Sequence, residues 1–339
     1  MSTSPLAVYT DAEDLDPTIG IELLRAHGYR VEYLGTTDPE AIVAGAREAT
    51  ALLVGYAEIS AEMMAVLPQL EIIALASSGV DNVDLDGARE HGICVANLPA
   101  LAAEEVAGHA VALALALLRE LPFFADRAAQ GDWLSRPPVA PVRLSETRLG
   151  LVGLGQIGSV AARQAQGLFG EVVGYDPHLP DTPETAARLA ALGVHRVSLE
   201  ELLASAGVVS LHLPLTEQTH HLIDAAALAR MPAGSTLVNV SRGGLVDPVA
   251  LRDALDRGHL RGAALDVLDV EPAPVDHPLV GHPRVLLTPH VAYLSDHTLR
   301  EYVRVQAQNV VSYGERGVPD HTVVAPRRTA MASAVATHS

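Results

Sequence analysis

Three glycines in the pattern G-x-G-x-x-G stand between an apolar run and a helical pattern, at Gly153, Gly155 and Gly158. The run Leu149–Val152 predicts a strand, and Gln156–Leu168 predicts a helix. In such a strand–turn–helix unit the glycines permit a tight turn, close approach of a pyrophosphate to the backbone, and close packing of helix on strand. The start of the helix adds free N–H groups and the positive end of the helix dipole. The pattern therefore predicts a dinucleotide site formed by Gly153, Gly155, Gln156, Ile157 and Gly158.

An acidic residue follows the next predicted strand at the spacing that this motif requires. The strand Glu171–Tyr175 is followed directly by Asp176, eighteen residues after Gly158. A carboxylate there accepts hydrogen bonds from ribose hydroxyls and repels a 2′-phosphate. The sequence therefore predicts NAD (NADH) as the cofactor and disfavours NADP. The alternative interpretation is a generic glycine-rich turn followed by a surface aspartate.

Short apolar runs alternate with helical patterns along most of the 339 residues. This alternation is typical of βαβ units and parallel sheets. It starts with the predicted strand Leu6–Tyr9 and forms one α/β domain over roughly the first hundred residues. A second series runs from Leu149 to about Thr288, and a helix is predicted at Asp296–Gly314. We expect two α/β domains and a disordered tail over about 320–339, where the sequence becomes polar and rich in Ala, Arg and Ser.

Composition excludes several classes of function. The formal net charge is −18, which disfavours nucleic acid or an anionic membrane surface as the partner. All 23 cationic side chains are arginine, so a lysine Schiff base and a lysine-containing P-loop are excluded. Cys94 is the only cysteine, and the longest apolar run, Val106–Leu118, is too short to span a bilayer. These features predict a soluble, cytoplasmic protein.

Three polar residues follow predicted strands of the second series: Arg242, Glu271 and His290. Ligands of open α/β sheets bind where strands end. The guanidinium fork matches a carboxylate, and the imidazole exchanges a proton near neutral pH. A carboxylate beside an imidazole fixes its tautomer. Next to a nicotinamide, the three would suit hydride transfer at a 2-oxo or 2-hydroxy carboxylate, with Arg242 holding the acid, His290 exchanging the proton and Glu271 supporting His290. Individually, each residue has an ordinary alternative: a surface ion pair, the start of a helix, or a buried structural histidine.

Six sequence blocks occur in the order GLGQIG, VVGYDP, VSLHLPLT, NVSRGGLVD, AALDVLDVEP and TPHVAYLS. This order resembles the D-isomer-specific 2-hydroxyacid dehydrogenases, from Leu6 to about Val318. The resemblance implies catalytic roles for Arg242, Glu271 and His290, and an NAD-dependent interconversion of a 2-oxo acid and a D-2-hydroxy acid. It also implies two Rossmann-like parallel-sheet domains of the formate/D-glycerate dehydrogenase type, with an interdomain cleft.

The same resemblance implies further site residues. Asp266 would face the nicotinamide carboxamide. Further cofactor contacts would come from His212, Leu213, Pro214, Val240, Ser241 and His290. The block Ala76–Asn82 resembles the loop whose N–H groups bind the substrate carboxylate, which points to Ser78 and Gly79, although it could also be a plain turn. Tyr293 stands where one branch of the family carries a tryptophan, and it joins Arg242 among the predicted substrate contacts.

The resemblance also divides the chain. Residues 1–99 and 289–339 would form a discontinuous substrate-binding domain, and residues 100–288 the NAD-binding domain. It implies a homodimer, with the apolar helix Glu104–Leu118 near the partner subunit. No metal site is predicted, because the adjacent His220 and His221 are expected to diverge and no group of histidines and acids shows ligand spacing.

Several stretches resemble most closely the branch that contains the C-terminal-binding-protein corepressors, among them His290–Ser295. A second hypothesis is therefore a dinucleotide-sensing protein that binds other proteins and has little or no turnover. Because all three reacting residues are present and residues 1–99 contain no recognisable peptide groove, the enzyme is the preferred hypothesis. Phosphite oxidation, which a few family members perform, is disfavoured because the first domain has no lysine to hold the anion.

Overall fold

A computed structural model describes residues 4–12, 15–99 and 101–326 of the chain. Within these ranges two compact units are present, one formed by the described residues up to 101 together with 295–326, and the other by Ala102–Leu294. The predicted boundary at residues 288/289 therefore lies six residues too early. The physical reason is that the His290 N–H donates to the Asp266 carbonyl at 2.7 Å and the Leu294 N–H donates to the Val291 carbonyl at 2.9 Å, which ties this loop to the second unit.

The amino-terminal part of the first unit alternates strands and helices, as the sequence predicts. Its elements are β1 (Leu6–Tyr9), α1 (Thr18–Ala26), β2 (Arg30–Tyr33), α2 (Pro39–Gly45), β3 (Ala49–Val54), α3 (Ala61–Ala65), β4 (Ile72–Leu75), α4 (Leu85–His91) and β5 (Cys94–Ala96). Asp38 is the N-cap of α2, because its carboxylate accepts from the Glu40 N–H at 3.3 Å.

The second unit begins with two helices and continues with a second alternating series. Its elements are α5 (Ala103–Leu118), α6 (Leu121–Ala129), β6 (Arg148–Val152), α7 (Gln156–Ala165), β7 (Glu171–Tyr175), α8 (Pro183–Ala191), β8 (Val194–Arg196), α9 (Leu199–Ser205), β9 (Val208–Leu211), α10 (Ala225–Arg230), β10 (Thr236–Asn239), α11 (Pro248–Asp256), β11 (Gly262–Leu265) and β12 (Val285–Leu287). Neither α6 nor β8 was predicted from the sequence. Glu120 adopts a left-handed conformation, with φ 55°, and separates α5 from α6, whose first turn contains a proline.

The chain returns to the first unit with α12 (Thr298–Arg316) and β13 (Thr322–Val324). The expectation of disorder from residue 320 is wrong for 322–324, because these residues pair antiparallel with β5 and bury Val324. The part of that expectation that concerns 327–339 lies outside the described residues. Within the first sheet the order is β13-β5-β4-β3-β1-β2, and only β13 is antiparallel.

The sheet of the second unit has the order β12-β11-β10-β9-β6-β7-β8, and all its pairings are parallel. Two hydrophobic clusters cover its two faces. The chain runs from β6 outward to β8 and then resumes at β9 on the other side of β6, so the strand order reverses between β6 and β9. Ligands of such sheets bind at the carboxyl ends of the strands beside this reversal. The predicted α/β fold with two Rossmann-like parallel-sheet domains is confirmed.

Candidate active site

The glycine-rich turn between β6 and α7 is closed by backbone contacts that only glycine allows. Gly153 has φ +100°, and a Cβ there would lie 2.5 Å from the carbonyl oxygen of His212. A Cβ on Gly158 would lie 2.1 Å from the carbonyl oxygen of Gly153. Two of the three motif glycines are therefore required by the fold of the turn itself.

The middle glycine of the motif has a different environment. A Cβ on Gly155 would have no atom within 4 Å, and Gly155 is followed by Gln156 and Ile157 in the first turn of α7. The open space lies at the start of a ten-residue helix, where N–H groups are free to bind an anion. The turn therefore fits a dinucleotide pyrophosphate at Gly155.

Asp176, directly after β7, is held by the backbone. One carboxylate oxygen accepts from the Leu154 N–H at 2.8 Å, and the other accepts from the His178 N–H at 2.9 Å. The residue is buried. These bonds tie the glycine turn to the end of β7, a contact that was not predicted from the sequence. A carboxylate oxygen can accept more than one hydrogen bond, so its predicted contact with ribose hydroxyls is compatible with this arrangement and stays a prediction.

His212 follows β9, at the same edge of the sheet. Its Nε2 lies 2.9 Å from the Ser210 hydroxyl, and its buried Nδ1 has no hydrogen-bond partner among the described residues. Burial lowers the pKa of His212 to about 4, so the imidazole is neutral at physiological pH. Leu213 is buried and Pro214 is exposed. A bound polar ligand beside the glycine turn would supply the hydrogen-bond partner that this ring nitrogen lacks among the described residues.

The turn that carries Arg242 is organised by the buried side chain of Asn239, a residue that sequence reasoning did not single out. The Asn239 amide donates to the Arg242 carbonyl at 2.8 Å and accepts from the Ser241 N–H at 3.0 Å. The Ser241 hydroxyl donates to the Leu211 carbonyl at 2.8 Å, and Val240 is buried. Contacts from Val240 to a ligand would therefore be made by its backbone. One Arg242 nitrogen donates to the Ser241 carbonyl at 2.8 Å, which anchors the guanidinium.

Gly243 allows the Arg242 turn to pack against the loop after β11. A Cβ on Gly243 would lie 1.9 Å from the carbonyl carbon of Leu268 and 2.2 Å from the nitrogen of Asp269. This contact places Arg242 close enough to Glu271 for its charge to lower the pKa of that carboxyl. Gly243 was not predicted to have a role, although the glycine pair that follows Arg242 was a signal of a close backbone approach.

The structure brings Glu271 and His290 into direct contact. The His290 Nδ1 lies 2.6 Å from one Glu271 carboxylate oxygen, and the Leu268 N–H donates to the other at 2.8 Å. Burial alone would raise the pKa of Glu271, but the hydrogen bond and charge of His290, the Leu268 N–H and the charge of Arg242 together bring it below its usual value. The ionised Glu271 carboxylate accepts a hydrogen bond from the Nδ1–H of His290, which leaves Nε2 as the nitrogen available to a ligand.

Asp266, at the end of β11, is almost completely buried, with 1% exposure. Its carboxylate accepts from the N–H groups of Val291 at 3.0 Å and Ala292 at 2.8 Å, the two residues that follow His290. Its side chain therefore organises the loop that carries His290 and the partly exposed Tyr293. The predicted contact between Asp266 and a nicotinamide carboxamide stays a prediction.

The loop after β4 in the first unit carries the predicted carboxylate-binding residues. The exposed Ser78 donates from its hydroxyl to the Pro99 carbonyl at 3.2 Å, and its carbonyl accepts from the Asn97 amide at 2.7 Å. The Ser77 hydroxyl donates to the Gly79 carbonyl at 2.7 Å. Within the described part of the chain, the N–H groups of Ser78 and Gly79 donate no hydrogen bond to the protein. Their orientation is held by neighbours while their donors stay available.

The histidine pair that was expected to diverge does not. The rings of His220 and His221 stack, with centroids 4.0 Å apart and an angle of 23° between the planes, and His221 adopts a left-handed conformation with φ 50°. Among the described residues, no group of three or more His, Cys, Asp or Glu side chains is arranged to hold a metal ion.

No single helix in the described ranges has the length and hydropathy of a membrane span. The helices α5 and α6 have that length and hydropathy only when they are taken together, and the pair is bent by 65°.

Comparisons with known proteins agree with this geometry. The family described as D-isomer specific 2-hydroxyacid dehydrogenase, NAD binding domain, matches residues 111–292. The chain is 40% identical over 262 residues to D-3-phosphoglycerate dehydrogenase of Mycobacterium tuberculosis, a match that covers 77% of this chain and 48% of the relative. It is 38% identical over 269 residues to glyoxylate reductase of Korarchaeum cryptofilum, with coverage of 78% and 79%.

A solved structure of D-lactate dehydrogenase from Aquifex aeolicus, complexed with NAD and lactic acid, superposes with a TM-score of 0.83 at 27% identity, covering 95% of this chain and all of the other. The chain spans about half the length of the phosphoglycerate dehydrogenases it matches. The family model covers more than half of the chain and contains the glycine turn, Arg242, Glu271 and His290. The chain belongs to the D-isomer-specific 2-hydroxyacid dehydrogenase family.

Proposed function

We propose that this chain is an NAD-dependent oxidoreductase that interconverts a small 2-oxo acid and the corresponding D-2-hydroxy acid. The observation that carries the proposal is the Glu271–His290 pair, whose side chains are 2.6 Å apart. Glu271 lies on the loop after β11, which packs against the Arg242 turn of a dinucleotide-binding unit. Phosphoglycerate dehydrogenase, glyoxylate reductase and lactate dehydrogenase are the activities that the relatives' names give. All three concern small carboxylates with oxygen at C2, and we assign this substrate class to the chain.

In the reduction, a 2-oxo acid, NADH and a proton yield the 2-hydroxy acid and NAD⁺. The bound coenzyme would supply the hydride, which forms a new C–H bond at the carbonyl carbon. The electron pair of the carbonyl bond moves to the carbonyl oxygen, which takes the proton from Nε2 of His290. Glu271 keeps its negative charge throughout and stabilises the protonated imidazole. Arg242 binds the substrate carboxylate and polarises the carbonyl oxygen.

For the coenzyme, we assign the pyrophosphate to Gly153–Gly158 and the ribose to Asp176. The remaining cofactor contacts are assigned to His212–Pro214, Val240, Ser241, Asp266 and His290. Because the carboxylate of Asp176 is anchored beside the glycine turn, it would oppose a 2′-phosphate. We therefore propose NAD rather than NADP. An NADPH-to-NADH ratio of kcat/KM above one for the wild-type protein would contradict this preference.

We assign the substrate-binding role to the first unit and the NAD-binding role to the second. The free N–H groups of Ser78 and Gly79 would bind a carboxylate, and Tyr293 would contact the rest of the substrate. We further propose a cytoplasmic homodimer. The net charge of −18 supports the proposal that it binds neither nucleic acid nor an anionic membrane.

The test is NADH oxidation by the purified chain with a panel of 2-oxo acids, compared with Arg242→Ala and His290→Ala. Loss of two charge-assisted hydrogen bonds in Arg242→Ala predicts a kcat/KM lower by about 10²- to 10⁴-fold. Arg242→Ala removes no assigned coenzyme contact, so this variant should bind NADH about as tightly as wild type if it folds correctly. Wild-type activity that survives in either variant would contradict the roles assigned to Arg242 and His290. Tight NADH binding without turnover of any 2-oxo acid would instead favour the nucleotide-dependent protein-binding hypothesis.

A further inference from the structure

His290 occupies a backbone conformation that needs external support. Its φ is +54°, in the left-handed region that residues with a Cβ rarely adopt. The His290 N–H donates to the Asp266 carbonyl at 2.7 Å, and the next two N–H groups donate to the two Asp266 carboxylate oxygens. The orientation of the imidazole therefore depends on where the Asp266 carboxylate lies.

The Asp266 carboxylate is in turn held from the side by a threonine and a histidine. The Thr288 hydroxyl donates to it at 2.6 Å, and the His109 Nε2 lies 3.0 Å from that hydroxyl and 3.6 Å from the carboxylate. Because the single hydroxyl proton of Thr288 is used on Asp266, the His109 Nε2–H must be the donor to Thr288. Neither Thr288 nor His109 was predicted from the sequence to be a site residue.

His109 comes from α5, a helix rich in Ala and Leu. Its side chain is only 26% exposed and reaches the carboxyl ends of β11 and β12. The resulting chain of contacts runs from α5 through Thr288 and Asp266 to the backbone of His290. Each step is a hydrogen bond between groups that are buried or partly buried, where hydrogen-bond geometry restricts motion most strongly.

We propose that His109 and Thr288 are positioning residues that set the imidazole of His290 through the buried carboxylate of Asp266. The proposal rests on the oxidoreductase function proposed above. Neither residue exchanges a proton with the substrate; their effect is to keep Nε2 of His290 aligned with the carbonyl oxygen. Loss of the network should therefore lower kcat and leave binding of coenzyme and substrate largely unchanged.

Thr288→Val is the principal variant, because it keeps the side-chain shape and removes only the hydroxyl. Thr288→Ser keeps the hydroxyl and is the conservative rescue. Thr236→Val is the matched control: the same substitution in β10 of the same sheet, at a buried hydroxyl that has no hydrogen-bond partner among the described residues. His109→Leu and His109→Gln form a second pair, since the glutamine amide can still donate to Thr288.

For each variant, kcat, KM, the NADH dissociation constant and the ring-nitrogen chemical shifts of His290 would be measured on the whole chain. We expect Thr288→Val and His109→Leu to lower kcat about tenfold, with KM and NADH affinity within about twofold of wild type. The His290 ring resonances should shift in both. Thr288→Ser, His109→Gln and Thr236→Val should stay close to wild type in every measurement.

Three results would overturn the proposal: an unchanged kcat with unchanged His290 resonances in Thr288→Val, an equal loss in Thr236→Val, or weakened NADH binding with normal kcat. The last result would mean that the network serves the coenzyme rather than His290. If wild type turns over no 2-oxo acid, the proposed function is wrong. The His290 resonances still decide, without turnover, whether Thr288 and His109 position the imidazole.

Discussion

The Nδ1 of His290 lies 2.6 Å from a carboxylate oxygen of Glu271, and the other oxygen of Glu271 accepts from the Leu268 N–H. This arrangement decides which nitrogen of the imidazole is available. Nδ1 is used inside the protein, so any proton exchanged with a ligand must pass through Nε2. Both side chains keep more than a third of their surface exposed, so a ligand can reach them.

Replacement of the carboxylate in Glu271→Gln should impair proton exchange without breaking the fold. The glutamine can still accept from Nδ1, but it no longer stabilises a positive imidazole by charge. We expect kcat for 2-oxo acid reduction to fall by about 10- to 100-fold, and the alkaline limb of its pH profile to move to lower pH. A pH–rate profile measures both, and an unchanged alkaline limb would contradict the role of the charge.

The ionisation of the Glu271 carboxylate gives a separate prediction. The pKa of Glu271 is lowered in the folded protein, so its ionised form is favoured at any pH above its usual value. The contribution of the Glu271–His290 pair to the stability of the fold is lost only as the pH falls below that usual value, toward the lowered pKa. We expect the Glu271 carboxylate, followed by infrared or carbon NMR spectroscopy, to stay ionised through pH values where free glutamic acid is already half protonated. Protonation at or above the ordinary value would contradict this expectation.

Gly243→Ala should disrupt the packing between the Arg242 turn and the loop after β11. The new Cβ would lie 1.9 Å from a backbone carbon of Leu268, a neighbour that cannot rotate away. We expect a loss of about 1–3 kcal/mol in unfolding free energy, together with a lower kcat/KM. Chemical denaturation and steady-state kinetics test this. Gly131→Ala is a control for general glycine effects, since its Cβ meets nothing within 4 Å, although its φ of +77° carries some strain of its own.

Gly155→Ala should separate folding from coenzyme binding. Gly155 has a negative φ of −67°, and its Cβ would meet no atom, so the unfolding free energy should stay within about 0.5 kcal/mol of wild type. If the pyrophosphate lies there, NADH affinity should fall by about tenfold or more because the methyl group occupies the space of the ligand. Gly158→Ala, whose Cβ would clash with the Gly153 carbonyl, should lose stability even without coenzyme. Unchanged NADH binding in a folded Gly155→Ala protein would contradict the assignment of the pyrophosphate to Gly155.

His212 predicts a pH dependence of stability. Its pKa is about 4 in the folded protein, against an ordinary value near 6.5, so between these values the unfolded chain binds a proton that the folded chain does not. Stability is therefore full above pH 6.5 and declines as the pH falls toward 4, by about 3 kcal/mol in total. In His212→Asn this part of the decline should disappear. His195→Asn, at an exposed position in β8, should leave the slope as in wild type, and equal slopes for all three proteins would contradict the assignment.

Much of the fold was predictable because its signals are local. β1 was predicted with its observed bounds, and the glycine turn was placed between the correct strand and helix. β8 was missed because it has three residues and two of them are exposed, so no apolar run marks it. β13 was missed for a related reason: it exists only because the edge of β5 pairs with it. Strand formation of that kind depends on a partner distant in the chain.

The sequence by itself determined the family, the two parallel-sheet domains and the three candidate site residues, because βαβ periodicity and glycine spacing are properties of neighbouring residues. Only the tertiary structure decided which polar groups meet. The Asp176 carboxylate accepts a hydrogen bond from the glycine turn, and Gly243 packs on Leu268. The Asp266 carboxylate accepts from the loop that carries His290 and from the Thr288 hydroxyl, which in turn is hydrogen-bonded to His109. These contacts depend on strand order, since the sheet places side by side strand ends that are far apart in the chain. A hydrogen bond forms only where that order brings donor and acceptor within about 3 Å, a distance that no local pattern encodes.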